Sequence, residues 1–123
     1  MGQRILLIDD DDLVRSTIQN ILESAGYEVI QAADGEEGLE ACRAGVPALV
    51  ITDILMPNKE GIETIRDLKR CDPVPRIIAI SGGDRSGEVQ FLQMAEKLGA
   101  DRILAKPFRK AALLDLVEGL LAE

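Results

Sequence analysis

Four consecutive carboxylates, Asp9 to Asp12, follow directly on the apolar run Ile5, Leu6, Leu7, Ile8. Three later apolar runs also end on residues able to do chemistry: Asp53 after "PALVIT", Ser81 after "PRIIAI" and Lys106 after "DRILA". Crowded carboxylates repel one another, and without a counterion one or more is pushed toward its protonated form. A divalent cation resolves that conflict. Mg²⁺ fits best, because it takes hard oxygen ligands, keeps several waters and is held by one or two carboxylates plus a phosphate oxygen. Mn²⁺ is the expected substitute, and Ca²⁺ wants more oxygen ligands than this sequence offers. Ser81 and Lys106 supply the hydrogen-bond donor and the ammonium that a phosphoryl group requires. A carboxylate between metal and lysine can act as a nucleophile through an acyl phosphate, and Asp53 holds that central place. The chain has no histidine, which removes the usual general base and zinc ligand and leaves carboxylates, hydroxyls, lysine and a hard metal.

The elements that must position these groups are legible in the hydropathy pattern. The runs at 4–8, 47–52 and 75–80 are nearly continuous, as in strands covered on both faces of a parallel sheet, and a fourth lies at 101–105. A weaker run at 27–32 mixes in polar residues and suits a sheet edge. Val14, Ile18, Ile21, Leu22 and Ala25 form one helical stripe, and Leu113, Leu114, Val117, Leu120 and Leu121 form another. Gly26, Gly45 and Gly99 stand where helices should stop. Asp34 with Glu37 reads as a capping box opening a helix over 35–44, and further helices are expected over about 60–71 and 86–98. Strand and helix thus alternate five times, which predicts an α/β, doubly wound, parallel five-stranded sheet in one domain spanning 1–123. In such sheets ligands bind outside the carboxyl ends of the strands. Asp9, Asp10, Asp53, Ser81 and Lys106 all fall on that one edge.

Bulk composition narrows the function. A chain of 123 residues, 46% hydrophobic, suits a single core. No apolar stretch reaches the roughly 18 residues of a membrane span, and the amino terminus turns acidic too early for a signal peptide, so a soluble cytoplasmic protein without a membrane partner is expected. A net charge of −8 and a pI near 4.6 argue against nucleic acid as a partner. Cys42 and Cys71 read as packing residues in a reducing compartment.

The segments "LLIDDDD", "VITDILMPNKEG", "AISGG" and "ILAKPF" resemble the receiver domain of bacterial two-component response regulators, in its single-domain, CheY-like form, along the whole chain. The resemblance implies a flavodoxin-like fold with strand order 2-1-3-4-5 and Asp53 as phosphoacceptor. It further implies Asp10 as a direct Mg²⁺ ligand, Asp9 acting on the metal through water, and the backbone carbonyl of Leu55 as the last protein ligand. Ser81 would bond a phosphoryl oxygen, Lys106 would pair with the phosphate, and the Lys106–Pro107 bond would be cis. The partners implied are a sensor histidine kinase or histidine phosphotransfer protein upstream and a protein target downstream, met through the face of the fourth helix, fifth strand and fifth helix. A monomer or weak homodimer with no attached effector domain is expected. On this reading Asp9 and Asp10 belong to the metal, whereas Asp11 and Asp12 start the first helix, where acids cap free amides and favour the helix dipole.

Two departures from the family pattern bear on mechanism. Ile103 stands where relatives commonly carry a rotating aromatic, and it is stiff about its first torsion. The conformational switch is therefore expected to run through Ser81 and the backbone of Gly82 and Gly83 rather than through Ile103. Leu55 and Gly83, two residues beyond Asp53 and Ser81, cannot orient an attacking water, which predicts slow loss of the phosphoryl group. Met56 and Phe108 read as packing residues. Three rival readings are set against the resemblance. An aspartate-nucleophile phosphatase of the haloacid dehalogenase type wants a second aspartate where Leu55 stands. A flavodoxin-class nucleotide carrier wants glycines and bare amides where four acids stand. A receiver-like interaction module that takes no phosphate would not need the full set of acid, serine and lysine.

Overall fold

The computed structural model describes residues 3–54, 60–82 and 88–122. Five strands, β1 (Arg4–Ile8), β2 (Glu28–Ala32), β3 (Leu49–Asp53), β4 (Arg76–Gly82) and β5 (Arg102–Lys106), alternate with five helices, α1 (Asp12–Ser24), α2 (Gly35–Ala44), α3 (Glu60–Leu68), α4 (Glu88–Leu98) and α5 (Lys110–Leu121). The strands pair in parallel in the order β2-β1-β3-β4-β5, the flavodoxin-like doubly wound order expected.

Apolar residues alternate between two layers because successive side chains on a strand point to opposite faces. Ile5, Leu7, Leu49, Ile51, Ile78 and Ile80 pack with Ile18 and Leu22 of α1 and with Leu113, Val117 and Leu120 of α5. Leu6, Ile8, Val50, Ile77 and Ala79 pack on the other face with Cys42 of α2, Ile65 and Leu68 of α3, and Ala95 of α4. Both faces being covered is why β1 and β3 read as unbroken apolar runs. The mixed run at 27–32 is the edge strand β2, in which Glu28 and Gln31 are exposed, Val29 and Ile30 half-buried and Ala32 buried.

Local chemistry sets the boundaries, and some differ from those predicted. Pro75, which has no N–H to donate, stays outside β4, and β4 continues to Gly82. The strand predicted at 101–105 begins only at Arg102, because Asp101 acts as a clamp. Its amide donates to the Ile77 carbonyl at 2.8 Å, and its carboxylate accepts from the Ile77 amide at 2.8 Å. The helix predicted to reach residue 71 ends at Leu68, where the Arg70 and Cys71 amides donate to carbonyls three residues back and tighten the last turn. Ala25 caps α1 and is exposed rather than completing the apolar stripe. Gly26 and Gly99 do take left-handed backbones, with φ of 97° and 122°. Gly45 does not: its φ is 174°, and an added Cβ there would lie 2.9 Å from the Arg4 guanidinium. Cys42 is buried, Cys71 half-buried, and both thiols are free; burial pushes the Cys42 thiol up to about 11. Among the described residues no helix is long and apolar enough to cross a membrane.

Candidate functional site

The strand order reverses direction between β1 and β3, which lie side by side, and that is where an open α/β sheet leaves a crevice at its carboxyl edge. Asp9 follows β1 there, Asp53 ends β3 and Lys106 ends β5. By the two-residue alternation these three continue the face packed against α1 and α5, after Leu7, Ile51 and Leu104. Ser81 of β4 continues the opposite face, after Ile77 and Ala79. Asp53 is level in register with Ile80, and Ser81 with Ala105.

Asp9, Asp10 and Asp53 each bring a carboxylate oxygen within 4.8 Å of the others. The Lys106 ammonium donates to Asp53 Oδ2 at 3.0 Å and to Asp9 Oδ2 at 3.3 Å. Asp9 is fully buried and Asp53 nearly so, while Asp10 is exposed. Burial pushes the Asp9 carboxyl up to about 6. The Asp11 amide holds it down, Asp53 adds repulsion, and Lys106 offsets part of the rise. Burial also works against the Lys106 ammonium, but the carboxylates of Asp53 and Asp9 outweigh it and hold the lysine above its ordinary pKa. Once all three acids are ionised, a single ammonium leaves two negative charges uncompensated. That deficit, on hard oxygen donors, fits a divalent cation such as Mg²⁺.

A second observation points to an oxygen-rich ligand. Ser81 Oγ is fully buried and has no hydrogen-bond partner among the described residues. A buried hydroxyl left unpaired costs about 1 to 3 kcal/mol, and an incoming anionic oxygen would satisfy it.

Asp11 accepts from the amides of Leu13 at 2.9 Å and Val14 at 3.2 Å and so caps α1, with Asp12 in its first turn. The run of four acids thus divides between Asp10 and Asp11. The Lys106–Pro107 peptide is cis, and so is Asp72–Pro73, which no sequence reading singled out. Ile103 is half-buried against the α2, α3 and α4 layer, and Phe108 packs on the α1 and α5 layer. Gly82 ends β4. Leu55, Met56 and Gly83 lie outside the described residues. Sequence reading missed Arg15, whose guanidinium donates to the Asp9 carbonyl at 2.6 Å and pairs with Asp12. The spacing of three between Asp12 and Arg15 was the available signal, since such pairs meet on a helix surface.

Residues 5–118 match the family model for the response regulator receiver domain. The chemotaxis protein CheY of Thermotoga maritima is 34% identical over 116 residues, which is 94% of each chain. The transcriptional regulatory protein CpxR of Escherichia coli is 35% identical over 118 residues, covering 96% of this chain and 49% of CpxR. Among solved structures, a CheY-like response regulator receiver domain protein from Methanospirillum hungatei superposes with a TM-score of 0.87 at 30% identity, covering 99% of this chain and 95% of that one. With the acids, the lysine and the buried serine on the carboxyl edge of this sheet, the chain belongs to the receiver domain family of two-component response regulators.

Proposed function

We propose that this receiver accepts a phosphoryl group on Asp53 from a phosphohistidine of a sensor histidine kinase or histidine phosphotransfer protein. Asp10 and Asp53 directly, Asp9 through water and the Leu55 carbonyl would hold Mg²⁺, with Mn²⁺ as substitute, and the cation would supply positive charge against phosphoryl oxygens that would otherwise repel the acids. An Asp53 carboxylate oxygen bonds to phosphorus as the bond from phosphorus to the imidazole nitrogen breaks, and the imidazole departs on the partner. Lys106, already 3.0 Å from Asp53, neutralises the transferred group, and Ser81 Oγ donates to one of its oxygens. The domain is a signalling phosphoacceptor, and catalysis is confined to its own phosphorylation and dephosphorylation.

The observation that carries this reading is the pairing of one lysine shared by two buried carboxylates with a buried serine hydroxyl that lacks a partner among the described residues. An aspartyl phosphate brings extra negative charge and acceptor oxygens to that hydroxyl. Drawing Ser81 toward them reorganises the backbone at Gly82 and Gly83, and Ile103 follows by packing rather than by rotation. The output then reaches a protein target on the face of α4, β5 and α5.

The test is the intact mass of the protein after incubation with acetyl phosphate and Mg²⁺, beside Asp53→Asn. A gain of one phosphoryl group in the wild type and none in Asp53→Asn is expected. No gain in the wild type, or equal gain in both, overturns the proposal. Hydrolysis of a small phosphate ester over many equivalents would instead favour a phosphatase.

A further inference from the structure

Arg15 lies in the first turns of α1, yet its side chain is only 11% exposed. The guanidinium makes a three-pronged fork. Nη1 donates to the carbonyl of Asp9 at 2.6 Å, Nε donates to Gln31 Oε1 on β2 at 3.1 Å, and Nη2 pairs with Asp12. Asp12 is 89% exposed, so that ion pair adds little by itself. The prong on Asp9 matters more, because the carbonyl it holds belongs to the peptide joining Asp9 to Asp10.

That peptide lies beyond the last β1 pairing, at Ile8, so the sheet ladder does not fix its orientation. The Asp9 amide donates to the Ala32 carbonyl at 3.2 Å, and Asp9 Oδ1 accepts from the Asp11 amide at 2.9 Å. Arg15 supplies a restraint on the carbonyl. With the Asp9 amide held on Ala32, the direction of the Asp9 carbonyl is set by its ψ, and an uncompensated change in that torsion would turn the Asp10 side chain relative to that of Asp9.

We propose that Arg15 is a positioning residue for the cation site: its planar guanidinium, braced on Gln31 of the neighbouring strand, fixes the Asp9–Asp10 peptide and thereby the separation of the two carboxylates. This rests on the metal role proposed above for those acids. Arginine suits the task because its rigid fork reaches several acceptors at once, whereas lysine presents a compact point charge. Positive charge by itself would oppose a cation, so charge and positioning act in opposite directions and can be separated.

Mn²⁺ affinity, measured from the free-ion electron paramagnetic resonance signal of the full chain without any phosphodonor, separates them. Arg15→Lys keeps the charge and loses the fork, and it is expected to weaken Mn²⁺ binding about 10-fold, the low end of what loss of a residue orienting metal ligands costs. Gln31→Met removes the brace without touching a candidate ligand and is expected to weaken binding in the same direction by less. Wild-type binding together with an Arg15→Lys affinity within about twofold of it overturns the positioning role and leaves the proposed function standing. If Arg15→Lys does not fold, unchanged affinity in Gln31→Met overturns it. No Mn²⁺ binding by the wild type overturns both.

Discussion

Replacing Asp9 by asparagine keeps the shape of a fully buried side chain and removes its charge. The wild-type carboxyl is pushed from its ordinary 3.8 up to about 6, so the fold favours the protonated form. The stabilisation that this form provides is complete below pH 3.8 and is lost as the pH rises through about 6. At about 1.4 kcal/mol per pH unit, that interval corresponds to about 3 kcal/mol forgone by the wild type at pH 8. Asparagine can still accept from the Asp11 amide, which lies 2.9 Å from Oδ1. It gives up the Lys106 contact at 3.3 Å, which takes back part of the gain and leaves about 1 to 2 kcal/mol. For a chain of this size the upper figure is roughly 10 °C in melting temperature. The assay is thermal unfolding followed by circular dichroism, with chelator present, from pH 4.5 to 8. Asp9→Asn should melt above the wild type at pH 8, and the gap should close toward pH 4.5. Added Mg²⁺ should narrow the gap at pH 8, because a cation bound to the native state stabilises the protein that binds it. A gap that does not change with pH, or an Asp9→Asn protein no more stable than the wild type at pH 8 without metal, would refute the electrostatic account of the site.

Lys106→Met takes away the ammonium shared by Asp9 and Asp53. Because that lysine side chain is 25% exposed, the cost at pH 8 without metal should fall below the full range for breaking a buried pair, at about 1 to 3 kcal/mol. Urea unfolding should show the loss shrinking at pH 5 as Asp9 takes up a proton. Gly38→Ala would set a Cβ 2.4 Å from Ile8 Cδ1, in a core where Ile8 is fully buried. The overpacking, about 1 to 3 kcal/mol, should exceed the helix-propensity gain of about 1 kcal/mol, and Ile8→Val should restore part of the loss in thermal melts. Leu55→Asn with Gly83→Glu should shorten the life of the phosphoprotein, followed by intact mass after the donor is removed; an unchanged lifetime counts against slow hydrolysis being set at those positions.

The parts of this molecule readable in advance are those fixed by period and by chemistry close along the chain. "RILLI" could be recognised as a central strand because both its faces are covered, and "YEVIQA" as an edge because one flank lacks a neighbour. The Asp34 cap was legible too, since its carboxylate accepts the Glu37 amide at 2.9 Å. The returning arm was not quite as expected: Glu37 reaches the amide of Ala33 rather than that of Asp34. Asp101 was invisible as a clamp because its partner, Ile77, is on another strand. Arg15 was missed for the same reason: its role depends on β2 lying beside β1 and on the direction of one carbonyl, neither of which leaves a trace in the local pattern. That Lys106 shares one sheet edge with Asp53 and Asp9, 53 and 97 positions away, followed from the strand ends, but that its ammonium bridges the two carboxylates did not.

Neighbouring residues on β4, Ile80 and Ser81, address opposite layers of the sandwich, whereas Lys106 and Asp53 both address the layer of α1 and α5. A small anion gripped at once by the lysine tip and the serine hydroxyl would therefore reach over the rim of the sheet and staple its two sides together. The sheet's own hydrogen bonds link strand to strand within the sheet and carry no such tie from one helical layer to the other. Gaining or losing that anion would therefore bear on both helical layers at once, so a single covalent event at the rim would be felt on both flanks of the domain.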